Sequence, residues 1–346
     1  MDLIDKIKTK AKEIGFSKVG ITDTAPFSAE IQEYFTEWLR KGYNARMGYL
    51  EKNIEERLKP SRTFEGAKSI VSVAISYNPG WIEHATDGNL SVISKYALGY
   101  DYHKVVLDKL KLLLDFVVNE TSGEVKGEIY CDAGPVMEKA IAERAGLGWI
   151  GKNTILITKE FGSWVFLGEI ILDVELKKDS SGKRLCFDCN LCIESCPTKA
   201  IITPGIINAS RCLSYFTTES RGEIPLELRD TLGNRVFGCD SCQEVCPFNK
   251  DVPETAEPLF KPQKNLMSMP LEKLIILASE EFSKRFRNSA IKRVKRNGLL
   301  QNSIVAMGNS GNAKFIRLLK RMSEELNPML QEHSMWAIEK IVRSKE

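Results

Sequence analysis

The sequence predicts three parts in series: an α/β (α+β) domain over residues 1–180, a ferredoxin-like cysteine-rich domain over 181–260, and a helical module over 261–346. Three observations predict this. Helical and strand-like apolar periods are interspersed through the first 180 residues. Eight of the nine cysteines fall between Cys186 and Cys246. From Leu271 onward, apolar residues recur three and four apart. A chain of 346 residues is long enough for two or three domains of roughly 100–200 residues each.

Taken in order, Leu3, Ile4, Ile7, Ala11 and Ile14 mark a helical face that stops at Gly15. Ile31, Tyr34, Phe35, Trp38 and Leu39 mark a second helix. The run SIVSVAISY (Ser69–Tyr77), bounded by Lys68 and Asn78-Pro79, reads as a buried strand. A long helix is expected over 102–119, a strand over Glu128–Cys131, a helix over Pro135–Ala145, and strands over Thr154–Thr158 and Trp164–Leu172. After the polar break SGKR at 181–184, few apolar runs remain, so this part needs a staple to fold. Residues 289–308 and 311–343 read as stacked helix pairs of HEAT type.

A hydrophobic share of 43% and a charged share of 27% are those of a soluble globular protein. No apolar run reaches the roughly 18 residues of a membrane span, and MDLIDKIKTKAKEIG lacks the features of a signal peptide, so no membrane contact and a cytoplasmic location are expected. No long unexplained apolar seam is visible, which makes a monomer the expected state. Net charge is +3, yet residues 261–346 carry 17 basic and 8 acidic residues, a local +9 that leaves −6 for the rest. Such asymmetry fits either a module facing a polyanion or a solvated helical surface. Lys284, Arg285, Arg287, Lys292, Arg293, Lys295 and Arg296 put seven bases in 13 positions, a density suited to phosphate contacts.

The cytosol keeps thiols reduced, so nine cysteines need a purpose other than disulfides. Cys186, Cys189, Cys192 and Cys196, followed by Pro197, form C-x2-C-x2-C-x3-C-P, the spacing of two-cluster ferredoxins. Three thiolates at that rhythm can hold three corners of one cubane, while the fourth reaches a second cluster. Cys239, Cys242 and Cys246, followed by Pro247, repeat the end of the pattern, and Cys212 can supply the missing ligand. Two 4Fe–4S clusters result: Cys186, Cys189, Cys192 and Cys246 on one, Cys212, Cys239, Cys242 and Cys196 on the other. Zinc sites are the competing reading, but zinc favours paired C-x2-C units a dozen or more residues apart. Cys131 serves neither cluster and reads as a buried strand residue, with active-site lining as its other possible role.

Further segments carry a resemblance. ERLKPS (56–61), KYALGYDYH (95–103), YCDAGPVMEKAIAERAGLG (130–148) with Trp149–Asn153 following, RCLSYFTTE (211–219) and GNRVFGCDSCQEVCPFN (233–249) together resemble the epoxyqueuosine reductases, over nearly the whole chain. The resemblance implies a cobalamin-binding N-terminal domain related to reductive dehalogenases, a two-cluster insert, and a HEAT-like module that helps hold tRNA. It implies reduction of epoxyqueuosine to queuosine at the wobble position of tRNAs for Asn, Asp, His and Tyr, with an external low-potential electron donor. It also implies that Asp132 is the proton donor, and that Arg57, Lys95, Tyr96, Asp101, Tyr102, His103, Asn153 and Tyr215 line the corrinoid or active site. Arg211, Arg293, Lys295 and Arg296 would face RNA. Many relatives carry Arg where this chain has Lys95, so a two-point contact there is not expected to carry over.

No ordinary side chain is a two-electron reductant, so the reaction needs a cofactor; the corrinoid is expected as cob(II)alamin, base-off, with no protein histidine beneath the metal. An apolar pocket around Asp132 would keep it protonated for general-acid work. Asp132 also reads as a cap of the helix expected near Pro135. His103 has a simple alternative in bracing the following helix, and Tyr215 in ordinary packing. Three other functions compete: a dehalogenase-like enzyme on a small molecule, a 4Fe–4S electron-transfer module, and a zinc-stabilised RNA-binding module.

Overall fold

The computed structural model describes residues 2–80, 82, 87–324 and 327–344. Residues 325–326 and 345–346, part of the expected helical module, lie outside the described residues.

Helix α1 (Leu3–Ile14) is capped by Asp2, and Gly15 ends it in the left-handed region at φ 104°. Strand β1 (Lys18–Asp23) follows, then α2 (Ala29–Arg40), β2 (Ser69–Ser76), α3 (Tyr102–Glu120), β3 (Gly127–Tyr130), α4 (Glu138–Arg144) and β4 (Val165–Leu172). The four strands form one antiparallel sheet in the order β1-β2-β4-β3.

Strand alternation gives this sheet two different faces. Val71, Val73 and Ile75 of β2, with Phe166, Ile170 and Leu172 of β4, pack on one core that includes Ile7, Ala11, Val106, Leu110 and Leu113 of α1 and α3. Ile70 and Ala74, with Ile171 and Leu167, face α4 and its Ile141 and Ala142 on the opposite side. Register sets Ser72 and Tyr130 opposite Glu169, so this acid in the middle of β4 points into the layer beneath α4.

Most expected elements are present. The expected strand Thr154–Thr158 is reduced to Leu156–Ile157, paired with Trp149–Ile150. The helix expected from Pro135 begins at Glu138, because residues 131–137 form a turn.

The C-terminal helices Lys295–Asn309 (α5), Ile316–Met322 (α6) and Pro328–Arg343 (α7) pack together. Their core also takes in Ile93, Ala97, Leu98, Val236 and Phe237. Asn302, fully inside, donates to the carbonyls of Thr217 (3.0 Å) and Val236 (2.8 Å), which ties α5 to the cysteine-rich part. Among the described residues, no helix is long and apolar enough to cross a membrane.

Candidate active site and cluster sites

Asp132 stands where β3 ends. Its φ is 50° and that of Gly134 is 83°; a Cβ on Gly134 would lie 2.7 Å from the Tyr130 ring. Two left-handed residues in three turn the chain sharply, and only glycine fits the second position. Asp132 is therefore not a helix cap: α4 starts six residues later at Glu138, without a side-chain cap.

The Asp132 side chain is 56% exposed. Its Oδ2 accepts a hydrogen bond from the Tyr102 hydroxyl and lies 3.3 Å from His103 Nε2. His103 Nδ1 lies 2.7 Å from Asp101 Oδ1, and Asp101 also caps α3 by accepting from the His103 backbone N–H at 3.1 Å. The capping residue thus orients the imidazole, which orients the carboxyl of Asp132. Tyr102 stacks between His103 (4.1 Å) and Phe166 (4.2 Å, interplanar angle 6°), which fixes both rings.

Burial lowers the His103 pKa, but hydrogen bonds to Asp101 and Asp132 outweigh it, and the imidazole is pushed up to about 9. For Asp132, burial acts upward, yet the hydrogen bonds from His103 and Tyr102 prevail and hold the carboxyl below its ordinary value. This corrects the expectation of an apolar pocket that keeps Asp132 protonated. The free site holds an imidazolium beside a carboxylate, with the proton on the histidine.

Tyr49 and Arg293 lie within electrostatic reach of Asp132. Arg293, from the turn Ala290–Val294, grips Glu219 with Nε and one terminal nitrogen, the latter at 2.8 Å. Glu219 raises its pKa further. Tyr96 packs edge-on against Tyr102 at 6.2 Å, and burial raises its hydroxyl well above the usual value.

The cysteines gather in two groups. Cys186, Cys189, Cys192 and Cys246 line one enclosed cavity, closed by Asn153, Ile157, Leu191, Pro247 and Phe248. Cys212 interacts with Cys239 and Cys196, and Cys242 with Cys212 and Cys239. Each motif therefore sends its last cysteine across to the other. Among the described residues no three His, Cys, Asp or Glu side chains are gathered to hold a single metal ion. Trp149 Nε1 donates to Cys186 Sγ at 3.3 Å and the Ala200 amide to Cys196 Sγ at 3.2 Å; the backbone hydrogen bonds at Cys196 outweigh burial and lower its thiol below the ordinary value. Asn153, 2% exposed, reaches from the first group's cavity to the Cys242 carbonyl at 3.5 Å.

The other expected site residues are more scattered. Lys95 places Nζ 4.7 Å from the Trp164 ring centroid, while its amide donates to Asp240 at 2.7 Å. Arg57 is buried and donates to the carbonyls of Lys52 and Tyr49, so it shapes the segment that presents Tyr49. Tyr215 is buried in a core with Leu213, Ile224 and Leu228, its hydroxyl accepting from the Arg46 amide. Cys131 is 1% exposed. Lys295 and Arg296 line a shallow cavity with Arg221 and Ser279, Arg221 donates to the Arg293 carbonyl at 2.6 Å, and Arg296 Nε donates to the Leu277 carbonyl. Arg211 is exposed.

Sequence reasoning missed Tyr49, Glu138, Glu169 and Glu219. A signal existed for Glu169, the one charged residue in the strand VFLGEIIL.

Residues 185–249 match the model of the 4Fe-4S double cluster binding domain, and residues 57–133 match that of "Epoxyqueuosine reductase QueG, DUF1730". The epoxyqueuosine reductase of Vibrio cholerae is 38% identical over 97% of this chain and 91% of its own length. A crystal structure of epoxyqueuosine reductase with a tRNA-Tyr epoxyqueuosine-modified stem loop superposes with a TM-score of 0.92 at 31% identity, covering 98% of this chain and 90% of that one. A Bacillus subtilis epoxyqueuosine reductase, with its catalytic loop swung out of the active site, superposes equally well at 30% identity over 98% and 90%. The crossed cysteine groups and the carboxylate–imidazole site define a two-cluster iron–sulfur oxidoreductase. Within that class, the chain belongs to the epoxyqueuosine reductase family.

Proposed function

We infer that the chain reduces epoxyqueuosine to queuosine at the wobble position of tRNA, with Asp132 delivering the proton to the departing oxygen. The observation that carries this reading is the Asp101–His103–Asp132 relay beneath an exposed carboxyl, within electrostatic reach of Arg293 from the basic module. Conversion of an epoxide to an alkene breaks two C–O bonds, takes up two electrons and two protons, and releases water. The oxygen leaves as an anion unless it is protonated as the bonds break. The proton resting on His103 can pass through the 3.3 Å contact to Asp132 as negative charge builds on that oxygen.

Cobalamin is the reductant in this reading, and when bound it supplies low-potential electrons to the epoxide carbon. The residues present fit a base-off corrinoid. The stacked rings of Phe166, Tyr102 and His103 bring aromatic surface up to the exposed Asp132 carboxyl. Both His103 nitrogens are engaged by carboxylates, so neither is free for a metal beneath the ring. Lys95, Tyr96, Tyr102 and Asn153 would hold it: Tyr96 packs on Tyr102, which donates to Asp132, while Lys95 and Asn153 bond to the cysteine segment at Asp240 and Cys242. Cys186, Cys189, Cys192 and Cys246 would hold the first cluster and Cys212, Cys239, Cys242 and Cys196 the second, and the two would supply single electrons drawn from an external donor.

In this reading the chain divides at 180 and 260, with residues 261–346 as a HEAT-like tRNA-binding module whose Arg293, Lys295 and Arg296 join Arg211 on the RNA side. The substrates are the Asn, Asp, His and Tyr isoacceptors, and the enzyme works as a cytoplasmic monomer. The test is anaerobic incubation of the reconstituted protein with cobalamin, a strong reductant and epoxyqueuosine-containing tRNA, followed by nucleoside analysis. Queuosine should form only when clusters and cobalamin are both present; its formation by cobalamin-free protein would overturn the cofactor assignment.

A further inference from the structure

We propose that Glu138 is the positioning residue for Asp132, and that it acts as one half of a Glu138–Glu169 carboxyl pair joined by a shared proton. The proposal rests on the role given to Asp132 above and adds a second acid–base unit beneath it.

Glu169 is fully buried in the middle of β4, in the apolar layer formed by Ile70, Ile141 and Ile171 under α4. Its Oε1 accepts a 3.4 Å bond from the Ser72 hydroxyl, the residue opposite it on β2. Its Oε2 has no donor among the described residues. The Glu138 carboxyl lies within hydrogen-bond reach of the Glu169 carboxyl. Two carboxylates cannot face each other in such a layer, because neither has a proton to give and their charges repel. One proton between them makes the contact a strong hydrogen bond and satisfies the orphaned oxygen.

The same Glu138 side chain reaches the catalytic turn. Its Oε1 accepts the backbone N–H of Asp132 at 2.5 Å. Asp132 sits at φ 50°, a conformation that a residue with a side chain holds only when its surroundings impose it. This hydrogen bond is one such constraint, anchored through Glu169 to the centre of the sheet.

The groups facing Glu138 are Glu169 from β4, Asp132 and Cys131 from the turn, and Lys139 from α4. Lys139 Nζ is spent on the Thr154 carbonyl at 2.8 Å. Burial and the Asp132 charge together push Glu138 up to about 8, and burial with the Glu138 charge raises Glu169 as well. Glu138 ionises first, at about pH 8, and its charge helps to hold the remaining proton on Glu169, so above that pH the pair carries one proton and one negative charge and the contact that anchors the turn changes.

The test uses the cluster- and cobalamin-loaded enzyme with a modified anticodon stem-loop. Glu138→Gln imitates the neutral acid, since its oxygen accepts from Asp132 and its amide donates to Glu169. It should keep kcat within about twofold near pH 7 and remove the inflection at about 8 from the pH profile of kcat, leaving that of His103 at about 9. Glu138→Ala should lower kcat about 10- to 100-fold with little change in KM and full cluster content. Infrared spectra of the wild type should show protonated-carboxyl absorption that weakens above about pH 8, a change missing in Glu138→Gln. An inflection at about 8 that persists in Glu138→Gln, or an infrared change at that pH that persists in it, overturns the proposal. Should Glu138→Ala not fold, the Gln variant and the infrared band decide alone. Asp132→Asn separates the two ideas: full turnover in that variant removes the Asp132 role, while the infrared band still reports on the shared proton.

Discussion

Arg293 closes on Glu219 with two nitrogens, one of them 2.8 Å from Oε2, and this ion pair carries the C-terminal module to the edge of the Asp132 site. Glu219 ends the RCLSYFTTE segment that also holds Cys212, so the pair joins a cluster ligand region to the basic helices. An Arg already neutralised by a carboxylate releases few counterions when RNA arrives. Its value lies in fixed orientation close to the reacting group.

Arg293 and Lys295 should therefore fail differently. Lys295→Ala should weaken stem-loop binding and reduce the slope of log affinity against log salt by about one, with kcat unchanged. Arg293→Ala should leave that slope nearly as it is and lower kcat/KM about tenfold or more. Anisotropy titrations over a salt series, alongside single-turnover rates, check both. Equal slopes for the two variants would contradict the separation.

The crossed cysteine assignment makes a prediction that an uncrossed one does not. Cys246→Ser should cost the cluster held by Cys186, Cys189 and Cys192, although Cys246 lies within the other motif. Cys196→Ser should cost the cluster of Cys212, Cys239 and Cys242. Iron and sulfide should fall to about half in each, and the surviving electron-spin signals should differ between them. Identical remaining signals would reject the crossing.

His103 should stabilise the protein in a defined pH window. Its folded pKa is raised to about 9 from an ordinary 6.5, so the contribution is fully present below about 6.5 and fades as pH rises through about 9. Asp132 is shifted the other way, and its share is lost as pH falls through its lowered value. His103→Gln should lower the unfolding midpoint near neutrality and converge with the wild type at about pH 10. A gap of constant size across that range would mean that packing against Tyr102, not charge, is what His103 supplies.

The parts legible in the sequence are those in which spacing is itself geometry. The cysteine rhythm gathers four sulfurs into each group whatever the rest of the fold does, and Gly15 ends α1 at the expected residue. The buried strand Ser69–Ser76 is legible because both its faces are covered. The Asp132 turn is not legible: Pro135 looks like a helix start, and only the left-handed backbone at Asp132 and Gly134 postpones α4 to Glu138. The contact between Glu138 and Glu169 depends on the register of β4 against β2 and β3, which no local pattern records. Strand β1 escaped for a related reason, since Gly20 interrupts the apolar pattern of KVGITD.

That glycine supports the last prediction. A Cβ at Gly20 would lie 2.1 Å from the carbonyl oxygen of Ala145 and 2.7 Å from the Leu147 side chain. The first neighbour is backbone, held by the Ala145 N–H bond to the Ile141 carbonyl at the end of α4, so it cannot swing aside as a side chain would. Gly20→Ala must push the C-terminal end of α4 away from the sheet, at a cost of about 1–3 kcal/mol. Gly48→Ala, where nothing lies within 4 Å, should change stability by no more than about 0.5 kcal/mol. Thermal unfolding of the two cluster-loaded variants compares them directly. Because α4 also carries Glu138, Gly20→Ala should lower kcat as well as the midpoint, although Gly20 touches neither substrate nor cofactor in this reading. A destabilised variant with wild-type kcat at low temperature would show that the end of α4 can move without disturbing the Asp132 turn.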